Sequence, residues 1–254
     1  MADPESRVRR TTRFYLRKVN RAVSRYNLIE QGDRIAVAVS GGKDSLSLLR
    51  LLRDRPRFSP PPYEIIAIHV RYVGWEVGAP PRDVLEAHFQ REQAPYVFET
   101  VDLTGEEVGC FRCSWQRRKA LFTTAYRLGC NKVALAHHQE DIVETILMNL
   151  LFHGRLEGPA PLVSLFGGKL TLIRPLVFLT ARELHRFARA CDLPVYESTC
   201  PHRETSQRAR VRAWLKEFRK VCPEIYVNVY RAAEKHGFQR GSPRAGWGRG
   251  EAVP

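Results

Sequence analysis

Ile35-Ala36-Val37-Ala38-Val39-Ser40-Gly41-Gly42-Lys43-Asp44-Ser45-Leu46-Ser47-Leu48-Leu49 is the stretch whose reading decides the fold. An apolar run, a polar turn with paired glycines and a second apolar run read as a buried strand, a tight loop and a helix N-terminus. Such a junction suits phosphate. The glycines let the backbone approach closely, N–H groups point outward, and the helix dipole favours negative charge. Lys43 adds a cation, and Ser40 and Ser45 add hydroxyl donors. The spacing is neither the Walker A spacing nor a Gly-x-Gly-x-x-Gly dinucleotide fingerprint. An ordinary glycine turn is the plain alternative, but strand, loop, lysine and helix all agree.

Working outward, Ile65 to Val70 reads as a second buried strand, Tyr96 to Val101 as a third and Lys132 to Ala136 as a fourth. Leu170 to Arg174 and Pro194 to Glu197 read as short strands. Helices are expected over 6–26, 83–93, 114–128, Gln139 to Phe152, a capping-box helix opened by Thr180-Ala181-Arg182-Glu183, 205–221 and 224–235. Alternating strand and helix predict an α/β fold, a parallel sheet with helices on both faces. The expected organisation is a basic N-terminal helix over 1–26, a nucleotide-binding domain over 27–200, a C-terminal helical extension over 201–236, and a Gly-rich disordered tail over 237–254.

The 254 residues carry 41 Lys and Arg against 27 Asp and Glu, a net charge of +14. A small anionic substrate does not need that excess, whereas a phosphate backbone uses it. The basic residues form two clusters, one with Arg7, Arg10, Arg13 and Arg17, the other with Arg208 and Arg212. Phe14, Tyr15 and Tyr26 interleave the first, which favours nucleic acid over a merely solvated face. The first ten residues are polar and no apolar run is long enough to span a membrane, so a cytoplasmic protein without a membrane partner is expected.

Strand Val133 to Ala136 leads into His137-His138-Gln139-Glu140-Asp141. The carboxyl ends of strands line the crevice of an open α/β sheet, so this segment belongs near the glycine loop. Acids there either hold Mg²⁺ against phosphates or complement the helix N-terminus.

Six cysteines in such a chain do not suggest a disulfide framework. Cys110-Phe111-Arg112-Cys113 is compatible with zinc, redox or iron–sulfur chemistry. A second Cys-x-x-Cys for zinc is absent, and the pair does not follow the first strand as a thioredoxin-like pair would. Cys130 and Cys191 read as core residues. Cys200, in Ser198-Thr199-Cys200-Pro201-His202, has no apolar setting, and Cys222 has no arguable partner.

The hexapeptide Ser40–Ser45 resembles the PP-loop of the ATP pyrophosphatase superfamily. Those enzymes share the adenine nucleotide alpha hydrolase-like fold, cleave ATP between its α- and β-phosphates, and adenylate a carbonyl oxygen. His137 to Asp141 resembles the His-His-x-Asp-Asp element of the tRNA-modifying branch, with Glu140 in place of the first Asp and Asp141 matching the second. Cys110, Cys113, Arg117-Arg118, Ala136-His137-His138, Ile173-Arg174-Pro175-Leu176 and Cys200 with Gln207-Arg208 together resemble the tRNA 2-thiocytidine synthetase family, over roughly residues 20–235.

The resemblance implies a [4Fe-4S] cluster on Cys110, Cys113 and Cys200. It implies ATP on Ser40, Gly41, Gly42, Lys43, Asp44 and Ser45, with the His69–Val70 strand edge meeting adenine. Mg²⁺ would sit on Asp44 or Asp141, so Lys43, Asp44 and Asp141 carry the catalytic expectation. Arg117 and Arg118 meet tRNA or the adenylate, or are simply exposed. The implied reaction replaces a base oxygen by sulfur, giving 2-thiocytidine at tRNA position 32. The sulfur donor is a cysteine desulfurase or sulfide, and a second copy of the chain is a candidate partner. Two readings compete: a tRNA lysidine synthetase, which leaves the three cysteines unexplained, and a thiolase using a cysteine persulfide. A non-catalytic ATP- and RNA-binding or redox-sensing module is opposed by the intact Ser-Gly-Gly-Lys-Asp-Ser.

Overall fold

The computed structural model describes residues 4–74, 80–105, 109–197, 206–236 and 238, with backbone only at 4, 5, 7 and 110. A sheet of order β3-β2-β1-β4-β6-β5 forms the frame. Its strands are β1 (Arg34–Ala38), β2 (Glu64–Val73), β3 (Tyr96–Asp102), β4 (Lys132–Ala134), β5 (Leu162–Leu165) and β6 (Leu170–Ile173). All neighbours pair in parallel except β5, which runs antiparallel to β6. The helices are α1 (Pro4–Tyr26), α2 (Lys43–Asp54), α3 (Arg82–Arg91), α4 (Cys110–Arg127), α5 (Gln139–His153), α6 (Ala181–Ala190), α7 (Gln207–Val221) and α8 (Ile225–His236).

Strand residues alternate between two cores because successive side chains leave opposite faces. Ile35 and Val37 join one core, where Leu46, Leu48, Leu49, Phe89, Ile142 and Phe187 are buried. Ala36, Val133 and Leu172 join the other, under Leu121, Phe122 and Ala125 of α4. The first core also takes Tyr15, Leu16 and Val19 of α1, Val211 and Leu215 of α7, and Tyr226 and Tyr230 of α8. The terminal helices therefore share the core of the sheet domain.

Several expectations change. α4 begins at Cys110, inside the stretch expected to precede it, because Gly109 takes the extended N-cap conformation. The Cys-x-x-Cys spacing is thus the first turn of a helix. Residues 194–197 join no strand, since β5 already occupies the edge of β6. β2 outruns β1: the last pair is Ala38 with Ile68, and residues 69–73 pair only with β3. The Thr180 capping box forms as read, with Thr180 Oγ1 accepting from the Glu183 N–H at 3.2 Å. Gly237, the expected cap of α8, and the tail over 239–254 lie outside the described residues.

Candidate active site

β1 sits between β2 on one side and β4 on the other, so strand order reverses about it. A crevice at the carboxyl ends of β1 and β4 follows from that reversal. The glycine loop fills the end of β1, and His137 to Asp141 fill the end of β4.

The loop is wired internally. The Ser40 N–H donates to Ser45 Oγ at 3.1 Å, and Ser45 Oγ–H donates to the Gly42 carbonyl at 2.9 Å. The Gly42 N–H points to Ser40 Oγ at 3.4 Å. Gly41 has φ +86°, and a Cβ there would lie 2.5 Å from Pro80 Cγ, so position 41 is open only to glycine. On another side the Tyr196 N–H donates to the Gly41 carbonyl at 3.0 Å. Pro80 and Tyr196 therefore bracket the loop, and neither was singled out from sequence. Lys43 Nζ contacts Asp44 at 2.7 and 2.8 Å, so the loop's cation is balanced by the adjacent carboxylate.

His138 lies between the two candidate catalytic acids. Its Nε2 is 3.9 Å from Asp44 Oδ2 and 3.4 Å from Asp141 Oδ2. Burial alone would lower the His138 pKa, but Glu140, Asp141 and Asp44 outweigh it and raise it. Asp141 also caps its own helix, accepting from the His138 N–H at 3.1 Å. The longer arm of Glu140 has a use: its Oε2 accepts from the Ala181 N–H at 3.0 Å, tying α5 to the first turn of α6. Glu140 thus serves a helix terminus and also lies 3.1 Å from His138 Nδ1, while Asp44 and Asp141 share Nε2 of the same ring.

His137 differs from its neighbour. Arg174 Nε donates to its Nδ1 at 3.1 Å. A guanidinium can only donate, so Nδ1 carries the lone pair and the ring proton is on Nε2. Burial, then Arg174, push the His137 pKa well down and keep the ring neutral. Arg174 follows β6 directly and also donates to the Ala160 carbonyl. Its place in the Ile173-Arg174-Pro175-Leu176 motif was legible, but not its burial.

The His69 side chain is buried and does not line an open edge. Its Nδ1 donates to the Val39 carbonyl at 2.7 Å, bracing β2 against the root of the loop, and burial lowers its pKa. The backbone of 69–73 is what β2 leaves unpaired on the β1 side. Val70 lies in this stretch.

α4 brings its first turn to the end of β2. Tyr72 Oη–H donates to the Cys113 carbonyl at 2.6 Å, and the Arg117 guanidinium lies over the Tyr72 ring at 5.2 Å. The Cys113 thiol is free and half-buried. Cys200 lies outside the described residues. Cys130 and Cys191 are buried, and burial pushes both thiols up. Among the described residues no three His, Cys, Asp or Glu side chains are grouped to hold a metal unaided. Asp44 and Asp141 still suit Mg²⁺, which takes one or two carboxylates and completes its shell with phosphate and water.

The basic clusters divide by role. Arg10, Arg13 and Arg17 are exposed on α1 and have no ion-pair partner among the described residues. The Arg7 side chain lies outside the described residues. Arg208 and Arg212 instead meet the buried Glu144: Arg212 Nε is 2.7 Å from Oε1, and Arg208 Nη1 is 3.8 Å from Oε2. These two arginines fasten α7 to α5. Sequence reading missed a further basic face, Arg182, Arg186 and Arg189 of α6, which is exposed and equally unpaired among the described residues. α6 packs against α1 through Phe187 on Tyr15, ring centroids 5.3 Å apart, and Lys18 on Glu183 at 2.8 Å. No helix among the described residues is long and apolar enough to cross a membrane.

The chain matches the PP-loop domain family over residues 12–218. It is 39% identical over 227 residues to the tRNA-cytidine(32) 2-sulfurtransferase of Geobacter sulfurreducens, across 84% of this chain and 86% of the relative. The protein of the same name from Polaromonas naphthalenivorans is 32% identical over 229 residues, across 86% of this chain and 71% of the relative. Among solved structures it is similar to the U34-tRNA thiolase of Methanococcus maripaludis with its [4Fe-4S] cluster, at TM-score 0.73 and 22% identity, over 92% of this chain and 79% of that one. That likeness extends the sheet order and helix placement to a solved fold. The crevice, its glycine loop and the relatives agree: the chain belongs to the PP-loop domain family, among the tRNA-cytidine(32) 2-sulfurtransferases.

Proposed function

We propose that the protein is an ATP-dependent tRNA sulfurtransferase that adenylates the C2 oxygen of cytidine 32 and exchanges it for sulfur. The observation that carries this is the meeting of the Gly41 loop and the Asp44–His138–Asp141 group at the carboxyl ends of β1 and β4, with the Cys113 turn held at the end of the neighbouring β2. The relatives bearing the sulfurtransferase name support the product.

A carbonyl oxygen leaves poorly, and adenylation turns it into a phosphate ester that leaves readily. Loop N–H groups, Ser40, Ser45 and the first turn of α2 would hold phosphate oxygens. Lys43 would exchange Asp44 for the pyrophosphate as charge develops there. Asp44 and Asp141 would share Mg²⁺ with the phosphates, and the unpaired backbone of β2 at His69–Val70 would meet adenine. Neutral His137 presents an Nε2–H donor without adding charge.

Cys110, Cys113 and Cys200 suit a [4Fe-4S] cluster. Two of them stand in one helical turn whose N-terminal dipole favours an anionic group, and Tyr72 fixes that turn. When bound, the cluster would hold sulfide ready for transfer. The sulfur itself would come from a cysteine desulfurase or free sulfide. The tRNA backbone would run over α1 and α6, where Arg10, Arg13 and Arg17 and Arg182, Arg186 and Arg189 have no ion-pair partner among the described residues. A cytoplasmic site of action fits a tRNA substrate.

Nucleoside mass spectrometry of tRNA from a strain lacking the gene tests this reading. Loss of 2-thiocytidine, restored by the wild-type gene and not by Lys43→Ala, is expected. Undiminished 2-thiocytidine in the deletion strain contradicts it.

A further inference from the structure

Arg174 is 9% exposed, yet its partners are neutral: His137 Nδ1 and the Ala160 carbonyl. No carboxylate pairs with it among the described residues. Burial, reinforced by Arg118, pulls its pKa down to about 10. A buried guanidinium without a counter-charge is costly. Among the described residues Arg55, held by Asn20 Oδ1 and the Pro60 carbonyl beside α1, is another case, while other buried cations avoid the cost. Arg50 and Arg53, also mostly buried, meet Asp54 and Glu92. Lys132 meets Asp33 at 2.7 Å.

The neighbours add to the imbalance. Arg118 of α4 acts on Arg174, and Arg208 of α7 acts with Arg174 on His137. The end of β6 is therefore within electrostatic reach of cations on α4 and α7. Asp141 acts on His137 in the opposite sense, but it is shared with His138. Arg208 is partly balanced by Glu144 and donates to Thr145 at 3.0 Å. Arg118 donates to the Ser114 carbonyl at 3.2 Å, and Arg174 is the one of the three that is buried, with no carboxylate on it among the described residues.

We propose that Arg174, with Arg118, forms a second anion site that takes an RNA backbone phosphate beside the target nucleotide. This rests on the tRNA-modifying reading above. Strand order decides between RNA and nucleotide. The loop that suits the triphosphate follows β1, and the open backbone suited to adenine lies on β2, on one side of it. Arg174 lies on the other side, beyond β4, where an acceptor and not the adenosine half of ATP would lie.

The test uses full-length protein with Arg174→Gln, Arg174→Lys and Arg118→Gln, tRNA binding titrated against salt, and ATP binding measured separately. Arg174→Gln is expected to weaken tRNA binding about tenfold to a hundredfold, the scale of a hydrogen bond to a charged group. Its salt slope should fall by about one phosphate contact. ATP affinity should hold, and Arg174→Lys should recover much of the tRNA affinity. Folded Arg174→Gln with unchanged tRNA affinity and slope overturns the proposal. Loss of ATP affinity alone assigns the anion to the α-phosphate and overturns it too. If Arg174→Gln does not fold, Arg118→Gln is read in its place, with the same direction expected and no change overturning it.

Failure of the tRNA reading looks different, because the wild-type protein then shows no salt-dependent tRNA binding. In that event inorganic phosphate is titrated into Lys43→Ala and Lys43→Ala/Arg174→Gln. A phosphate-dependent rise in Tm confined to the first keeps the anion site, and equal behaviour overturns it.

Discussion

The Tyr196 N–H donates to the Gly41 carbonyl at 3.0 Å, joining the segment that leads to Cys200 to the glycine loop. A sequence distance of 155 positions is closed by one backbone bond, and Pro80 lies where a side chain on the same glycine would go. The loop is therefore held from outside as well as by Ser40 and Ser45. Gly41→Ala combines a left-handed φ with a Cβ 2.5 Å from Pro80, and one of the two must move. The backbone part alone is worth about 1–2 kcal/mol. We expect a lower Tm and an ATP affinity reduced by roughly tenfold or more, on the same scale of about 1.4 kcal/mol per factor of ten. Calorimetric titration with ATP checks this, and a neutral Gly41→Ala contradicts the bracketed loop.

Lys43→Ala removes the cation nearest the leaving pyrophosphate. Its present partner is Asp44 at 2.7 Å, so the variant also leaves that carboxylate without its ammonium. Adenylation, followed as tRNA-dependent AMP formation, should fall by about 10²-fold or more, the usual scale for losing one contact to developing charge. Near-normal AMP formation would move the chemistry away from this loop.

The sheet, the loop and the His137–Asp141 turn were legible because each depends on local pattern. Apolar runs of strand length, a glycine pair and acids at a helix start need no tertiary knowledge. The role of Glu140 was not legible, since it depends on where α6 begins in space. Nor was the split among the arginines. Arg212 and Arg186 look alike in sequence, yet one meets buried Glu144 and the other faces solvent. β5 was missed because a short exposed strand beside Gly-rich chain carries little alternation of its own.

That split predicts two kinds of arginine variant. Arg182→Gln, Arg186→Gln and Arg189→Gln together should leave Tm nearly unchanged. They should weaken tRNA binding and flatten its salt slope by up to about 2–3, near one per phosphate contact. Arg212→Ala should instead destabilise the fold by about 1–3 kcal/mol, because Glu144 keeps its burial and loses its nearest cation. Urea unfolding and salt-titrated tRNA binding, run on both variants, separate the roles. The assignment fails if the α6 triple variant unfolds early and binds tRNA normally.

Glu183 gives a pH prediction. Burial alone would raise its pKa, but Lys18 and the Thr180 backbone and hydroxyl outweigh burial and hold it below the usual range. A depressed carboxylate contributes stability that is complete above its unfolded pKa of roughly 4.3 and is lost as pH falls through the folded value. Glu183→Gln should therefore be less stable than wild type near neutrality, by about 1 kcal/mol for a weakened cap. The gap should close as the pH drops below about 4. Urea melts across that range check the sign, and a gap that widens in acid contradicts it.

Reconstitution tests the central claim most directly. Protein purified without oxygen is supplied with ATP, Mg²⁺, sulfide and unmodified tRNA, and the nucleosides and AMP are quantified together. The account predicts 2-thiocytidine formed in step with AMP and pyrophosphate, with iron and labile sulfide on the active protein. It predicts that product is lost when Cys110, Cys113 or Cys200 is replaced by Ala while ATP binding persists. Thiolation by protein carrying zinc or no metal, or lysine attached to the tRNA in place of sulfur, would contradict it.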